Sequence, residues 1–437
     1  MKLLLLLLAV VFLAAFLVPL ILAVSVIRRS GREAMVKLFR GRNASAPALI
    51  TPLLVGTFRE APMGSSFTYK STLRAEEMEG YRRIEAAVTF GKLDRVPVAP
   101  FLLHHVARTT GLTVREFLFD FKKGRSAGRV AYDIYGRPDM VSWFPGAGYL
   151  IFGGERLLFG TDWIVKEETP VQIIEHRQWE VSDYDRLIEE GIGPTMLKRP
   201  PEGFYPFLQA TGYIRRELRY WRRVRKAAGW VGAVTVFPFE ILSWKRSLEE
   251  FMVDIFKVPE KILAASDFLA DGLVALAKLQ GYFTGLKRVF FDCNRASATF
   301  ISPATFEKLV FPSLKKMVES LVKDGFEILF HLDTDWGPML PFFRQLPPGR
   351  YIVELENTDI RKAKEILAGH MCIKGNISST LLSLGTPDEV EREARNLIDD
   401  LAPGGGFILS SGCEVPMDAP LENVKALIKA ARKYGVY

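Results

Sequence analysis

Short apolar runs alternate with amphipathic helical stretches along most of this 437-residue chain, and that alternation narrows the fold more than any other feature. The runs fall at residues 96–103, 140–144, 231–239, 288–293, 327–332, 351–355, 371–375 and 406–411. Helical stretches at 259–279, 303–323, 388–401 and 421–434 lie between or after them. In 303–323 the apolar residues are Phe306, Leu309, Val310, Leu314, Met317 and Leu321, at the spacing of one helix face. Strands that are apolar on both faces and separated by helices belong in a parallel sheet. About eight such units predict an α/β fold, a (β/α)8 TIM barrel with insertions, whose chemistry sits at the carboxyl ends of its strands. A doubly wound sheet is the alternative, and no GxGxxG after a strand supports it. Residues 146–185 fit the alternation poorly and read as a β-rich excursion over the barrel mouth.

The net charge of +8 is concentrated in two places. Arg28, Arg29, Arg32, Lys37, Arg40 and Arg42 make one basic block, and residues 215–226 make another, leaving a slightly acidic body. A nucleic-acid binder would carry its basic surface on the main domain, so that class is excluded. The stretch 213–230 reads either as a helix lying on anionic lipid or as an outer barrel helix with a solvated charged face. Cys293, Cys372 and Cys413 lie far apart with no CxxC spacing, which argues against a disulfide framework and for a reduced compartment.

Residues 3–27 carry no charge and are long enough to cross a hydrocarbon core of roughly 30 Å. The basic block follows them, so the positive-inside rule predicts a single-pass anchor with the rest of the chain cytoplasmic. A cleaved signal peptide, with Ala23-Val24-Ser25 as its small-residue site, is the rival reading. The expected organisation is thus an anchor at 1–27, a basic flank and linker or arm at 28–75, and a barrel at 76–437. The barrel would begin with a helix on which Met78, Tyr81, Ile84, Ala87 and Val88 share a face.

Chemistry concentrates where the late runs end. The run Ile328-Leu329-Phe330 gives way to His331-Leu332-Asp333, and period-2 geometry points His331 and Asp333 the same way. The run 406–411 delivers Cys413 in the same manner. Asp292 and Cys293 end another run, Glu354 and Glu356 share a face of the next, and Asn376 closes the one after. On a barrel these groups converge on one mouth. His331, Asp333 and Cys413 are therefore the candidate catalytic set, with two readings open. They could be N, O and S ligands of Zn2+, with a fourth position left for substrate or a carboxylate such as Glu356. They could instead be a hydrogen-bonded His–Asp pair with Cys413 as a small buried filler. Glu240, Asp292, Glu354, Glu356 and Asn376 are the candidate substrate-binding residues, and His104 and His105 follow the first run into the mouth.

Several motifs carry a resemblance: Asp94-Arg95-Val96-Pro97-Val98, Ile301-Ser302-Pro303, Gly375-Asn376-Ile377, Gly385-Thr386-Pro387-Asp388-Glu389-Val390 and Gly405 through Cys413. Together they resemble the uroporphyrinogen decarboxylase superfamily, in particular its cobalamin-dependent methyltransferase branch. The resemblance implies a TIM barrel that passes a methyl group between a corrinoid and a thiol. In that branch zinc is held by a His-x-Cys pair and a distant Cys; His331 matches the first ligand and Cys413 the last. Asp333 stands where the middle Cys would be. The decarboxylases themselves carry an arginine-rich amino-terminal motif, whereas this chain reads Ala99-Pro100-Phe101-Leu102-Leu103-His104-His105.

The expectation is a membrane-anchored, metal-assisted methyltransferase acting on a small-molecule acceptor, its corrinoid supplied by a partner protein. Two rivals stand beside it. One is a carboxy-lyase of the uroporphyrinogen decarboxylase type, acting on a carboxylated tetrapyrrole with Asp292 or Glu240 and no metal. The other is a non-catalytic binding barrel tethered at the membrane.

Overall fold

The apolar runs after residue 231 pair in parallel, each with the run before it. In a computed structural model describing residues 75–140, 162–175, 177–192, 195, 231–284 and 286–437, they form one six-stranded sheet. An antiparallel hairpin, β1 (Asp162–Ile164) and β2 (Gln172–Ile174), precedes it. The sheet strands are β3 (Ala233–Val236), β4 (Arg288–Cys293), β5 (Glu327–Leu332), β6 (Tyr351–Leu355), β7 (Cys372–Ile377) and β8 (Phe407–Ser411), in chain order. Helices such as Pro259–Thr284, Ile360–Leu367 and Pro387–Leu401 return the chain between strands. Helix Leu421–Tyr434 follows the last one.

Two more segments extend the sheet beyond β8. Val98 bridges Leu409 and Phe101 bridges Glu414, both in parallel. On the other side the Asp139 N–H donates to the Val98 carbonyl at 2.8 Å. The first run therefore lies between the second and the last, as barrel order requires. Residues 141–144, and with them the closure onto β3, lie outside the described residues.

Local chemistry moved several boundaries. Run 96–103 is not a continuous strand, because Pro97 and Pro100 cannot donate to a ladder; only isolated bridges form, and helix Leu103–Thr109 takes over. Run 231–239 stops early because Pro238 opens helix Pro238–Arg246. The stretch 303–323 is not one regular helix. It passes through a π-helical turn, Phe306–Val310, before helix Phe311–Lys323, where Pro312 cannot make the usual backbone bond. In the described part of the expected β-rich excursion the hairpin is β structure, but the chain turns helical at Ser182–Glu190, before the excursion's expected end at 185. The rest of that excursion, residues 146–161, lies outside the described residues, as do the anchor at 3–27, the flank at 28–74 and the basic stretch 213–230. Among the described residues, no helix is long and apolar enough to cross a membrane.

Two apolar clusters follow from the double-sided burial of the strands. The larger lies between sheet and helices. The smaller fills the sheet's concave side with Ala99, Met140, Val231, Leu329, Ile352, Cys372 and Ile408, joined by Val234 and Phe290. Helix Ala75–Val88 contributes Ile84, Ala87 and Val88 to that inner cluster, so it closes the amino-terminal end. Below the apolar layer Arg288 pairs with Glu327, and Glu85 of the closing helix pairs with Arg288 at 3.1 Å and with Arg350. Arg350 also reaches Glu327 at 2.9 Å. Leu329 is 1% exposed in the inner layer. Leu329→Ala should lower unfolding stability by about 2–5 kcal/mol in urea titration, with the spread set by how far the cavity collapses.

Candidate functional site

Register brings four ionisable side chains into one row across the sheet. Asp292 on β4 faces His331 on β5, His331 faces Glu354 on β6, and Glu354 faces Lys374 on β7. Signs alternate along the row, so each charge has a counter-charge beside it. The His331 Nδ1 lies 2.9 Å from Glu354 Oε2, and Lys374 Nζ donates to Glu354 Oε1. Glu354 and Lys374 are 2% and 1% exposed, depths at which an unpaired charge would be prohibitive.

Each pair shifts its members' protonation. Burial raises the Glu354 pKa, but Lys374 and then His331 outweigh it and hold the carboxyl below its usual range. Burial brings Lys374 down, with Glu354 opposing. Burial would likewise depress His331, yet Asp333, Cys413 and Glu354 together hold it well above an ordinary imidazole. With Nδ1 turned to an ionised carboxylate, loss of one proton from the ring would leave the other on Nδ1 and free the Nε2 lone pair toward the mouth, the form a metal ligand needs. Phe290 stacks on the imidazole with centroids 5.1 Å apart, and Phe101 meets it edge-on at 5.4 Å. Those two rings fix the imidazole plane.

Beyond the row, the three expected catalytic residues come together. His331 Nε2 lies 3.1 Å from Asp333 Oδ1 and 3.6 Å from Cys413 Sγ. All three ligand-type atoms lie within 4.8 Å of one another. Donors held about 2.0–2.3 Å from a tetrahedral metal stand roughly 3.3–3.8 Å apart, so the triangle is of metal-binding size. Asp333 Oδ1 is buried and accepts no well-aligned hydrogen bond, although Nε2 is close. A buried oxygen without a donor, beside an imidazole nitrogen and a sulfur, fits a divalent ion such as zinc. Burial pushes the Cys413 thiol up to about 12, with His331 pulling the other way.

The turn that carries Asp333 is held from three sides. Trp336 Nε1 donates to the Asp333 carbonyl at 2.7 Å, and the Trp336 N–H donates to Thr358 Oγ1 at 2.8 Å. Thr334 adopts φ of 68°, a left-handed conformation that costs a β-branched residue about 1–3 kcal/mol. Its N–H donates to Glu356 Oε2 at 3.1 Å and its hydroxyl donates to Ser297 Oγ at 2.7 Å. Cys413 is fixed from the opposite side. The His104 ring and backbone N–H both bond the carboxylate of Glu414, the next residue, and Val415 N–H donates to the Phe101 carbonyl.

The expected substrate-binding residues divide. Glu354 is bound to His331 and Lys374, inside the row. Glu356 faces the Asp333 turn through Thr334. Asn376 gives its amide protons to the carbonyls of Glu356 and Thr358, at 3.1 and 3.4 Å, and so ties two strand ends together. Glu240 is fully buried; its Oε1 accepts the N–H groups of Asn294, Arg295 and Ala296, while Oε2 has no partner. Burial and then Asp292 raise the Glu240 pKa to about 7, and burial raises Asp292 to about 6. Cys293 and Cys372 stand outside the ligand triangle, both thiols pushed up by burial. His105 is engaged by Tyr135 and the Ala419 carbonyl.

Sequence reasoning missed Lys374. Its one signal was a lysine inside an apolar strand, where burial demands a partner. Lys374→Met should leave Glu354 as an unpaired buried charge and cost about 3–5 kcal/mol in urea titration at neutral pH. Glu354→Gln added to it should recover most of the loss. Since the folded pKa of Glu354 is depressed, its contribution is present above the usual carboxylate range and lost as pH falls through the folded value. The gap between wild type and Lys374→Met should therefore narrow in acid.

Comparison with known proteins places this geometry among relatives. Residues 81–434 match the family described as uroporphyrinogen decarboxylase (URO-D). The chain is 26% identical over 364 residues to the methylated-thiol–coenzyme M methyltransferase of Methanosarcina mazei, covering 82% of this chain and 90% of that one. It is 25% identical over 180 residues to the uroporphyrinogen decarboxylase of Syntrophotalea carbinolica, covering 41% of this chain and 50% of the relative. The methylcobamide:CoM methyltransferase of Methanosarcina barkeri is 28% identical over 198 residues, covering 45% and 56%. In three dimensions a methyltransferase from Methanosarcina mazei superposes with a TM-score of 0.61 at 19% identity, covering 81% of this chain and 98% of that one.

Proposed function

The chain belongs to the uroporphyrinogen decarboxylase family, and on that footing we propose that it is a metal-assisted methyltransferase moving a methyl group between a corrinoid and a small thiol. The observation that carries this reading is the triangle of His331 Nε2, Asp333 Oδ1 and Cys413 Sγ, with its orphaned oxygen. The matches to two thiol- or CoM-directed methyltransferases agree with it. A divalent ion held by those three atoms would lower the pKa of a coordinated thiol and leave its sulfur able to accept a methyl group.

The chain's own residues prepare that site. Glu354 keeps the His331 proton on Nδ1, and Lys374 keeps Glu354 ionised. Trp336 and Thr358 fix the turn from which Asp333 reaches in, and Phe290 and Phe101 shield the imidazole from solvent. Cys413 is taken as a ligand: burial alone pushes its thiol up to about 12, and a divalent ion beside it would favour the thiolate. The corrinoid is taken as a substrate carried by a partner protein. Residues 3–27 anchor the enzyme as a single span, with the barrel on the cytoplasmic side.

The carboxy-lyase reading draws on Asp292 and Glu240, whose pKa values of about 6 and 7 suit proton transfer. Metal analysis separates the two. Full-length protein purified in detergent should hold close to one zinc per chain, and Cys413→Ala or His331→Ala should release it. Loss of methylcobalamin absorbance in the presence of a thiol should depend on that zinc. Metal-free protein that releases CO2 from uroporphyrinogen would instead establish the lyase. Deleting residues 2–27 should move the protein from the carbonate-resistant membrane fraction to the supernatant; a full-length chain found only in the supernatant would rule out the anchor.

A further inference from the structure

We infer that the thiol accepted at this site carries a cationic ammonium group, held by the Asp292 carboxylate with Glu240 behind it. The inference rests on the methyl-transfer reading above and adds the substrate's charge.

Asp292 begins the charged row, directly across from His331, and stands outside the ligand triangle. It is half-buried, and among the described residues no basic side chain of lysine or arginine pairs with it. Glu240 is 0% exposed, with Oε2 buried and unpartnered. Glu240 Oε1 accepts the backbone N–H groups of Asn294, Arg295 and Ala296, so its carboxyl lies against the turn that follows Asp292 on the same strand end. Such a pair is a deficit of positive charge.

Other groups around the mouth do not fill that deficit. Lys374 is committed to Glu354. The Arg295 guanidinium is held by Glu175 at 3.0 Å and by Ser243, so on Glu240 it acts only through space, while the Arg295 backbone N–H donates to Oε1. His104 is committed to Glu414. A divalent ion in the triangle is balanced by the Asp333 carboxylate and the Cys413 thiolate. His331 faces Asp292 but already answers Glu354 and Asp333, and as a metal ligand its ring would be neutral, so among the described residues Asp292 and Glu240 are left without a cation of their own. An anionic substrate tail would meet like charge here, whereas an ammonium would supply the absent partner and donate to the free oxygens. An aminothiol, with sulfur at the metal and nitrogen at Asp292, satisfies both.

The test uses three thiols of equal chain length: 2-aminoethanethiol, 2-mercaptoethanesulfonate and 2-mercaptoethanol. Each is titrated by calorimetry into the zinc-loaded full-length protein in detergent at pH 7, with 2-mercaptoethanol as the uncharged reference. The aminothiol should bind at least about tenfold more tightly than the sulfonate, and Asp292→Asn should bring the two within about threefold. Asp292→Ser is the second variant should the amide misfold, and zinc content reports folding of each. Equal binding of the charged thiols to wild type, a preference for the sulfonate, or a preference that survives both variants overturns the inference. If 2-mercaptoethanol binds while the charged thiols show no preference, the inference alone fails. If none of the three binds, the methyl-transfer reading fails and takes the inference with it.

Discussion

The ion pair between Glu354 and Lys374 is the constraint on which the site depends. Neither group could stay charged alone at that depth, and each removes the other's desolvation cost. Glu354 has a second oxygen, which takes the Nδ1 of His331 and sets which ring nitrogen faces outward. Parallel pairing does the rest. Neighbouring strands in register place Asp292, His331, Glu354 and Lys374 side by side without any loop having to position them. A row built on strands holds its geometry more tightly than one built on connecting segments.

The interior is layered to support that row. Arg288, Glu327, Arg350 and Glu85 make a charged floor, closed by helix Ala75–Val88. Leu329, Ile352, Cys372 and Ile408 make an apolar layer above it. The row comes next, two residues further along each strand, and the triangle of His331, Asp333 and Cys413 stands at the rim. Moving up by two residues preserves facing, so apolar packing below and charge above share one inward face of each strand. The apolar layer separates two charged regions and keeps both in low dielectric, where their pairings are strong.

The fold was legible because periodicity survives in sequence: β4, β5 and β6 fall on the runs read from apolar residues alone. What failed were boundaries set by proline chemistry, at Pro97, Pro100, Pro238 and Pro312, where the lost N–H outweighs an apolar pattern. In the site, His331, Asp333 and Cys413 were legible because each follows an apolar run. Glu354 and Glu356 were not separable. Period 2 puts both on one face, and only the pairing of His331 with Glu354 decides which one touches the imidazole. Register is a property of two strands, so one strand's sequence does not contain it. The roles of Asn376 and Glu240, both read as substrate-binding candidates, were out of reach for the same reason. Their partners, the carbonyls of Glu356 and Thr358 and the amides of Asn294 to Ala296, belong to neighbouring strand ends.

Asp333 is where this chain departs from the His-x-Cys pair of the branch it resembles, and the surrounding turn is built to suit a carboxylate. A carboxylate oxygen binds a metal at about 2.0–2.2 Å, shorter than a thiolate sulfur at about 2.3 Å, and as a harder donor it leaves the metal more electrophilic. In the metal-bound form proposed above, such a bond would require the carboxylate to be held in place by its backbone. Trp336 grips the Asp333 carbonyl, Thr358 holds Trp336, and Thr334 is kept in a left-handed conformation by Glu356 and Ser297. Strain that persists between two strand ends, braced by four hydrogen bonds, points to a turn fixed for the position of its carboxylate rather than for the stability of the loop.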